Sequence, residues 1–174
     1  IMVRDQVIDA GHMRALQRCC DAYVSLHRAE GFGLGLAECM AVGKPVIATA
    51  WSGNMEFMNT ENSRLVDYTL VPVLEGQYPH AVGAVWAEAN TDTAAVHMRE
   101  LATFRPDATE LGERGRRAVL AALAPERAGE AIVRRCVEIE GLRDRSRRGP
   151  PRMSGMGRIG AAAGNEGQEP CSLS

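Results

Sequence analysis

Lysine is nearly missing from this sequence: 19 of its 20 basic residues are arginine, and Lys44 stands alone. That bias is compositional and names no ligand. Charge of either sign is not in excess, since the net value is -2 and the pI is about 6.1. The total therefore recommends neither nucleic acid nor a charged membrane as a partner. The five cysteines are odd in number and include no CxxC pair. A closed disulfide framework and the common zinc arrangements are thereby excluded, and a reducing, cytoplasmic compartment is expected. No stretch approaches the roughly 18 apolar residues of a spanning helix, and no secretory leader is visible. The chain opens on Ile1, which is expected of a piece of a longer protein.

Several catalytic fingerprints are absent too. A dinucleotide loop GxGxxG starting at Gly31 needs a third glycine where Leu36 stands; starting at Gly33, it meets Glu38. No acidic residue closes the next apolar run, Ala48-Thr49-Ala50, so a nicotinamide site is not expected. A phosphate loop fails because Gly43-Lys44 is followed by Pro45. Neither DxD nor HExxH occurs, which leaves no reason to expect a catalytic metal.

What is present centres on residues 21–50. At 174 residues and 45% apolar content, the chain can bury one real core. The run Ala22–Leu26 predicts a strand buried on both faces. A glycine-punctuated turn, residues 30–35, leads into an apolar helix from Leu36 to Val42. Gly43 and Pro45 stop that helix, one by tolerating a left-handed cap and the other by being unable to continue it. Val46–Thr49 predicts a second strand. A strand, helix, strand unit of this kind implies parallel strands joined by a right-handed crossover.

The helix carries an anomaly, because Glu38 is its only charged side chain. A helix apolar nearly all round is expected to be buried, and a buried carboxylate is costly unless donors satisfy it. Glu30 lies eight positions earlier, where the first strand ends. Ligands of open α/β sheets bind beyond the carboxyl ends of the strands, where helix N-termini favour anions. Two carboxylates flanking an anion site suit a polyol attached to a phosphate. Tight glycine turns also occur with no ligand, and the residues alone leave that reading open.

Elsewhere the pattern is simpler. Met2–Ile8 alternates weakly and predicts a strand. Residues 11–20 predict a helix with Met13, Leu16 and Cys20 on its buried face. Trp51-Ser52-Gly53-Asn54 forms a loop at a strand end, followed by a short apolar turn, Met55–Met58. Arg64–Val66, Leu70–Leu74 and Val85–Ala87 read as strands, with a loop at 77–83. A helix capped within Thr91–Thr93 buries Ala94, Met98 and Leu101. Pro106 opens another, carrying Leu111, Ala118, Val119 and Ala122. Pro125 opens a third, with a stripe of Ala128, Ala131, Ile132, Cys136 and Ile139. Residues 143–174 hold six glycines, three prolines and no aromatic residue, with six arginines against three acidic groups. Such a tail is expected to be disordered. Its arginines, without interleaved aromatics, read as solvated charge rather than an RNA site.

The run from Glu30 to Glu38 resembles the E-x7-E signature of retaining glycosyltransferases of the GT-B fold, the group 1 or family 4 enzymes. Residues 41–49, Ser52-Gly53-Asn54, Leu70–Val73, Tyr78-Pro79 and Trp86-Ala87-Glu88 are similar to that family as well, the later ones to a polysaccharide-synthesis branch. The resemblance covers residues 1–142. It implies a Rossmann-like parallel sheet with flanking helices, part of the C-terminal, donor-binding domain. It implies transfer of a sugar from a nucleotide-diphosphate sugar to a glycan or lipid-linked acceptor, with no cofactor and no metal. By this likeness Glu30 reaches the donor sugar and Glu38 the nucleotide ribose. The backbone of Gly31, Phe32, Gly33, Leu34 and Gly35 lines the sugar and diphosphate, with His27, Ser52 and Asn54 at the periphery. Similar enzymes also carry an N-terminal acceptor domain and a preceding segment that supplies an arginine and a lysine to the diphosphate. Neither is in this sequence, so the chain alone is expected to be inactive. Peripheral membrane association is implied only for the full-length protein. The alternative is a non-catalytic nucleotide-sugar-binding module.

Overall fold

The computed structural model describes residues 2–148, with side-chain surroundings through residue 143. The chain divides into two compact units, Ile1–Glu130 and Ala131–Ser174. The first holds a parallel sheet of order β1-β2-β3, with β1 at Tyr23–Ser25, β2 at Val46–Thr49 and β3 at Arg64–Val66. Tyr23 pairs with Val46, and Ile47 with Arg64. Helices α1 (Ala10–Cys19), α2 (Leu34–Ala41), α3 (Thr91–Thr103) and α4 (Arg105–Ala122) flank it. The expected α/β architecture is therefore observed. A separate hairpin pairs β4 (Tyr68–Pro72) antiparallel with β5 (Val85–Ala89).

β2 is the strand that is buried throughout. β1 is not, because it lies at the sheet's edge and leaves Val24 37% exposed. One apolar cluster joins α2 to β2 and α4, through Leu36, Met40, Val46 and Val119 among others. A second joins Ile47 and Val66 to Ala94, Leu101 and Leu111. At the α4 crossing two glycines replace side chains: a Cβ on Gly112 would lie 2.1 Å from the Gly43 carbonyl oxygen.

α2 ends as its residues predict. Gly43 adopts φ +77, its N–H donates to the Met40 carbonyl, and the Lys44 N–H donates to Cys39. Those two bonds are a Schellman closure. The cap of α3, in contrast, is Asn90, whose side chain accepts from the Asp92 and Thr93 amides.

Other expectations are corrected. Met2–Ile8 forms no strand and is largely exposed. On α1 the buried residue is Gln17, while Met13 and Leu16 are about half exposed. Met98 is exposed on α3, where His97 turns inward and donates to the Leu65 carbonyl. α5 runs Pro125–Arg148, six residues past the expected start of the tail, and residues 149–174 lie outside the described residues. Its predicted stripe, Ile132 and Ile139 included, is exposed. Among the described residues no helix is long and apolar enough to cross a membrane.

Candidate functional site

The β1–α2 turn is held by the loop that follows β2. Glu30 is the anchor. Its N–H donates to Ser52 Oγ (3.0 Å), and its carbonyl accepts from the Ser52 hydroxyl and from the Gly53 N–H (2.9 Å). Ser52 reaches this position at φ 83, a left-handed conformation that a residue with a Cβ rarely adopts. Such backbone strain persists where surrounding structure over-determines it. Here the main chain of Glu30 is fully engaged, and its half-buried side chain borders open space.

Gly33 begins α2 from the left-handed region, at φ +93, and no side chain caps the helix. Below it, Phe32 meets Phe57 with ring centroids 5.3 Å apart. A Cβ on Gly33 would touch Leu36, Asn54 and Phe57. The turn is thus stiff, and its first-turn amides lack intrahelical acceptors. A helix end of this kind presents a partial charge of about +0.5 to an anion.

The helix that follows is less enclosed than its composition suggests. Leu36, Ala37, Cys39 and Met40 are buried, but Leu34, Glu38 and Val42 form an exposed stripe at intervals of four. Glu38 is therefore not a buried carboxylate, and the expectation that it sits within the core is corrected. It still has a partner. Gln17 Nε2 on α1 donates to Glu38 Oε2 at 2.8 Å.

Tyr23 packs beneath the same helix start. Its hydroxyl lies under the first turn of α2, 2.9 Å from where a Cβ on Gly35 would stand. Burial raises its pKa, and the charges of Cys39, Glu30 and Glu38 raise it further, so both carboxylates lie within its electrostatic reach.

His27, Ser52 and Asn54 come together, at the carboxyl ends of β1 and β2. Asn54 is fully buried and donates through Nδ2 to the Thr49 carbonyl (3.1 Å). Its Oδ1 then faces His27 Nε2 at 3.2 Å, with the Trp51 carbonyl oxygen 3.0 Å from the same nitrogen. Two acceptors require Nε2 to carry the proton, leaving Nδ1 to accept from the Ser25 hydroxyl at 3.2 Å. These three residues brace the two loops against each other.

Beyond Glu30 a groove of about 660 Å³ opens, with Gly31, Ser52, Tyr78 and Trp86 also on its walls. Arg28 stands beside it, paired with Glu88 at 2.8 Å and lying over the Trp86 ring, 4.7 Å from its centroid. Lys44, at the other end of α2, lines a different cavity with Cys20 and Arg105. Among the described residues no three His, Cys, Asp or Glu side chains gather as a metal site would need.

Residue patterns missed Gln17 and Tyr23. The apolar spacing of α1 marked Met13, Leu16 and Cys20 and passed over Gln17 one turn after Met13 on the same side, and Tyr23 sits inside a strand with nothing to mark its reach. The family model of glycosyl transferases group 1 matches residues 6–69, a stretch under half of the chain that contains every candidate residue from Gln17 to Asn54. Over that stretch the chain is similar to those transferases; the hairpin's second strand and helices α3 to α5 lie beyond it. No curated protein matches the chain significantly.

Proposed function

We propose that this chain is the donor-binding part of a retaining, metal-independent glycosyltransferase of the GT-B, family 4 kind. It would move a sugar from a nucleotide-diphosphate donor to a glycan or lipid-linked acceptor in polysaccharide synthesis. One observation carries the reading: Glu30, its backbone held by Ser52 and Gly53, stands just before the uncapped start of α2, and Glu38 lies on the exposed side of that helix. The likeness of residues 6–69 to group 1 glycosyl transferases supports it.

In this reading the amides at the start of α2 hold the diphosphate, Glu30 accepts from the sugar's hydroxyls, and Glu38 accepts from the ribose. As the bond from the anomeric carbon to the diphosphate oxygen breaks, the sugar gains oxocarbenium character and the leaving group gains charge. The acceptor's hydroxyl oxygen forms the new bond and gives up its proton to the departing diphosphate oxygen. Pre-aimed donors at developing charge are often worth a hundredfold to a thousandfold each. The groove beside Glu30 gives the sugar and its acceptor room. A second reading, a non-catalytic nucleotide-sugar module, draws on the engagement of Arg28 by Glu88 and Trp86, which occupies the nearest arginine.

The test uses the full-length protein with a panel of nucleotide sugars. Glu30→Ala should lower turnover about a hundredfold or more while donor affinity changes little. Glu38→Ala should weaken nucleoside diphosphate binding about tenfold to a hundredfold even without a sugar, as loss of a charged hydrogen bond predicts. Wild-type turnover in Glu30→Ala would remove its role, and calorimetry showing unchanged affinity would remove that of Glu38. Binding without any transfer by the wild type would select the second reading.

A further inference from the structure

We infer that Gln17 is the positioning residue for Glu38 and that it sets the preference for a ribonucleotide over a deoxyribonucleotide. The inference rests on the ribose role proposed for Glu38. Gln17 is 6% exposed and is the one buried residue of α1, on a helix whose apolar side chains Met13 and Leu16 stay about half exposed. A buried amide is costly unless it is bonded. Its partner is Glu38, at 2.8 Å across 21 residues of sequence, from one helix to the next.

The chemistry of the pair is specific. A neutral amide orients a carboxylate without neutralising it, whereas lysine or arginine would compete with the ligand for its charge. Gln17 occupies one direction of Oε2 and leaves Oε1 to accept. A glutamate loses rotamer freedom when it is fixed, and the bond to Gln17 restricts it before any ligand arrives. A cis-diol offers two O–H donors, which a carboxylate with one arranged edge can take together. Removing the 2′-hydroxyl removes one of them. The site would then recognise the 2′,3′-diol of a ribonucleotide, with Gln17 holding the receiver in place.

Calorimetry on the chain with UDP, GDP and ADP, each beside its 2′-deoxy counterpart, tests this. The wild type should prefer at least one ribonucleotide by about tenfold or more, from loss of a hydrogen bond to a charged group. Gln17→Met, which keeps length and helix propensity, should bring that ratio towards one, weakening the ribonucleotide more than the deoxynucleotide, which offers only its 3′-hydroxyl. Gln17→Lys, which returns a donor to Glu38, should recover part of the preference. A second measurement needs no variant: the Gln17 side-chain amide resonance should shift when the preferred ribonucleotide is added and hold still with the deoxy form. A folded Gln17→Met variant with the wild-type ratio, or an amide that responds alike to both nucleotides, overturns the inference alone. A wild type without ribose preference, or one that binds none of the panel, overturns the role of Glu38 and this inference with it.

Discussion

Replacing Gly53 by alanine isolates the contact on which the site's geometry depends. The new Cβ would lie 2.2 Å from the Gly31 carbonyl oxygen, 2.6 Å from its carbon and 2.9 Å from the Glu30 oxygen. Ordinary contact is about 3.5–4.0 Å, so the two loops must part by roughly 1 Å. All three atoms are backbone, and no side chain can swing away to make room. Overpacking of this kind costs about 1–3 kcal/mol. Stretching the Gly53 N–H bond to Glu30 loses about 1 kcal/mol more. Against this, alanine stiffens the unfolded chain and returns about 0.4–1 kcal/mol. The clash wins, by about 1–3 kcal/mol net. With a urea slope of about 1–3 kcal/mol per molar, the unfolding midpoint should fall by about 1 M. The Glu30 amide resonance should move as well, because its carbonyl and N–H are the anchored groups. Gly112→Ala is the control. Its Cβ meets the Gly43 oxygen at 2.1 Å, a clash that outweighs the helix propensity gain of about 1 kcal/mol, yet it lies away from Glu30. It should lower the midpoint and leave the Glu30 amide in place. A Gly53→Ala variant that unfolds with the wild type would refute the close approach of the two loops.

Two further predictions concern buried groups. Burial, aided by the charges of Cys20 and Glu38, pushes the Cys39 thiol up to about 12. A raised thiol contributes stability fully below its unfolded value near 9 and loses it as pH climbs from there towards 12. At pH 8 a thiol reagent should label exposed Cys19 and Cys136 in the native chain and leave Cys39 until urea is added; equal labelling rates would contradict this. Thr49 Oγ1 is buried without a hydrogen-bond partner among the described protein atoms. Thr49→Val should therefore raise stability, by about 1 kcal/mol, since an unsatisfied buried hydroxyl costs about 1–3, and a lowered urea midpoint would show that the hydroxyl is satisfied.

The central unit was legible wherever a local rule decides the outcome. Gly43 and Pro45 fixed the end of α2, and the β-branched run at Val46 announced the second strand of the unit. Pro106 and Pro125 stand at or beside the starts of α4 and α5. What escaped depends on partners far along the chain. Whether an edge strand is covered on both faces depends on its neighbours, so β1 was read as more buried than it is. On α1 apolar spacing marked Met13 and Leu16, whereas the buried residue on that side is the polar Gln17, which bonds Glu38. On α5 the apolar stripe was visible, but periodicity cannot say whether another element covers it. The candidate positions themselves followed from the order of two glutamates and a glycine turn, and periodicity did not mark the braces behind them. Nothing in the spacing of His27, Ser52 and Asn54 shows that they hold one loop to the other.

The exposure of Glu38 changes the physical logic of the site. A buried charge would have needed a ligand to relieve its desolvation, and the empty protein would then have carried a penalty of several kcal/mol. An exposed carboxylate carries no such penalty, because water solvates it. In the proposed role, selectivity comes from arrangement: Gln17 donates to one edge of the carboxylate, and Ser52 and Gly53 hold the backbone of Glu30. Glu38→Ala should then cost about 1–3 kcal/mol of stability, because the buried Gln17 amide loses its partner, so its nucleotide affinity is compared on protein shown to be folded. The scaffold stores order rather than strain at Glu38. At Ser52, where φ is positive, it stores both.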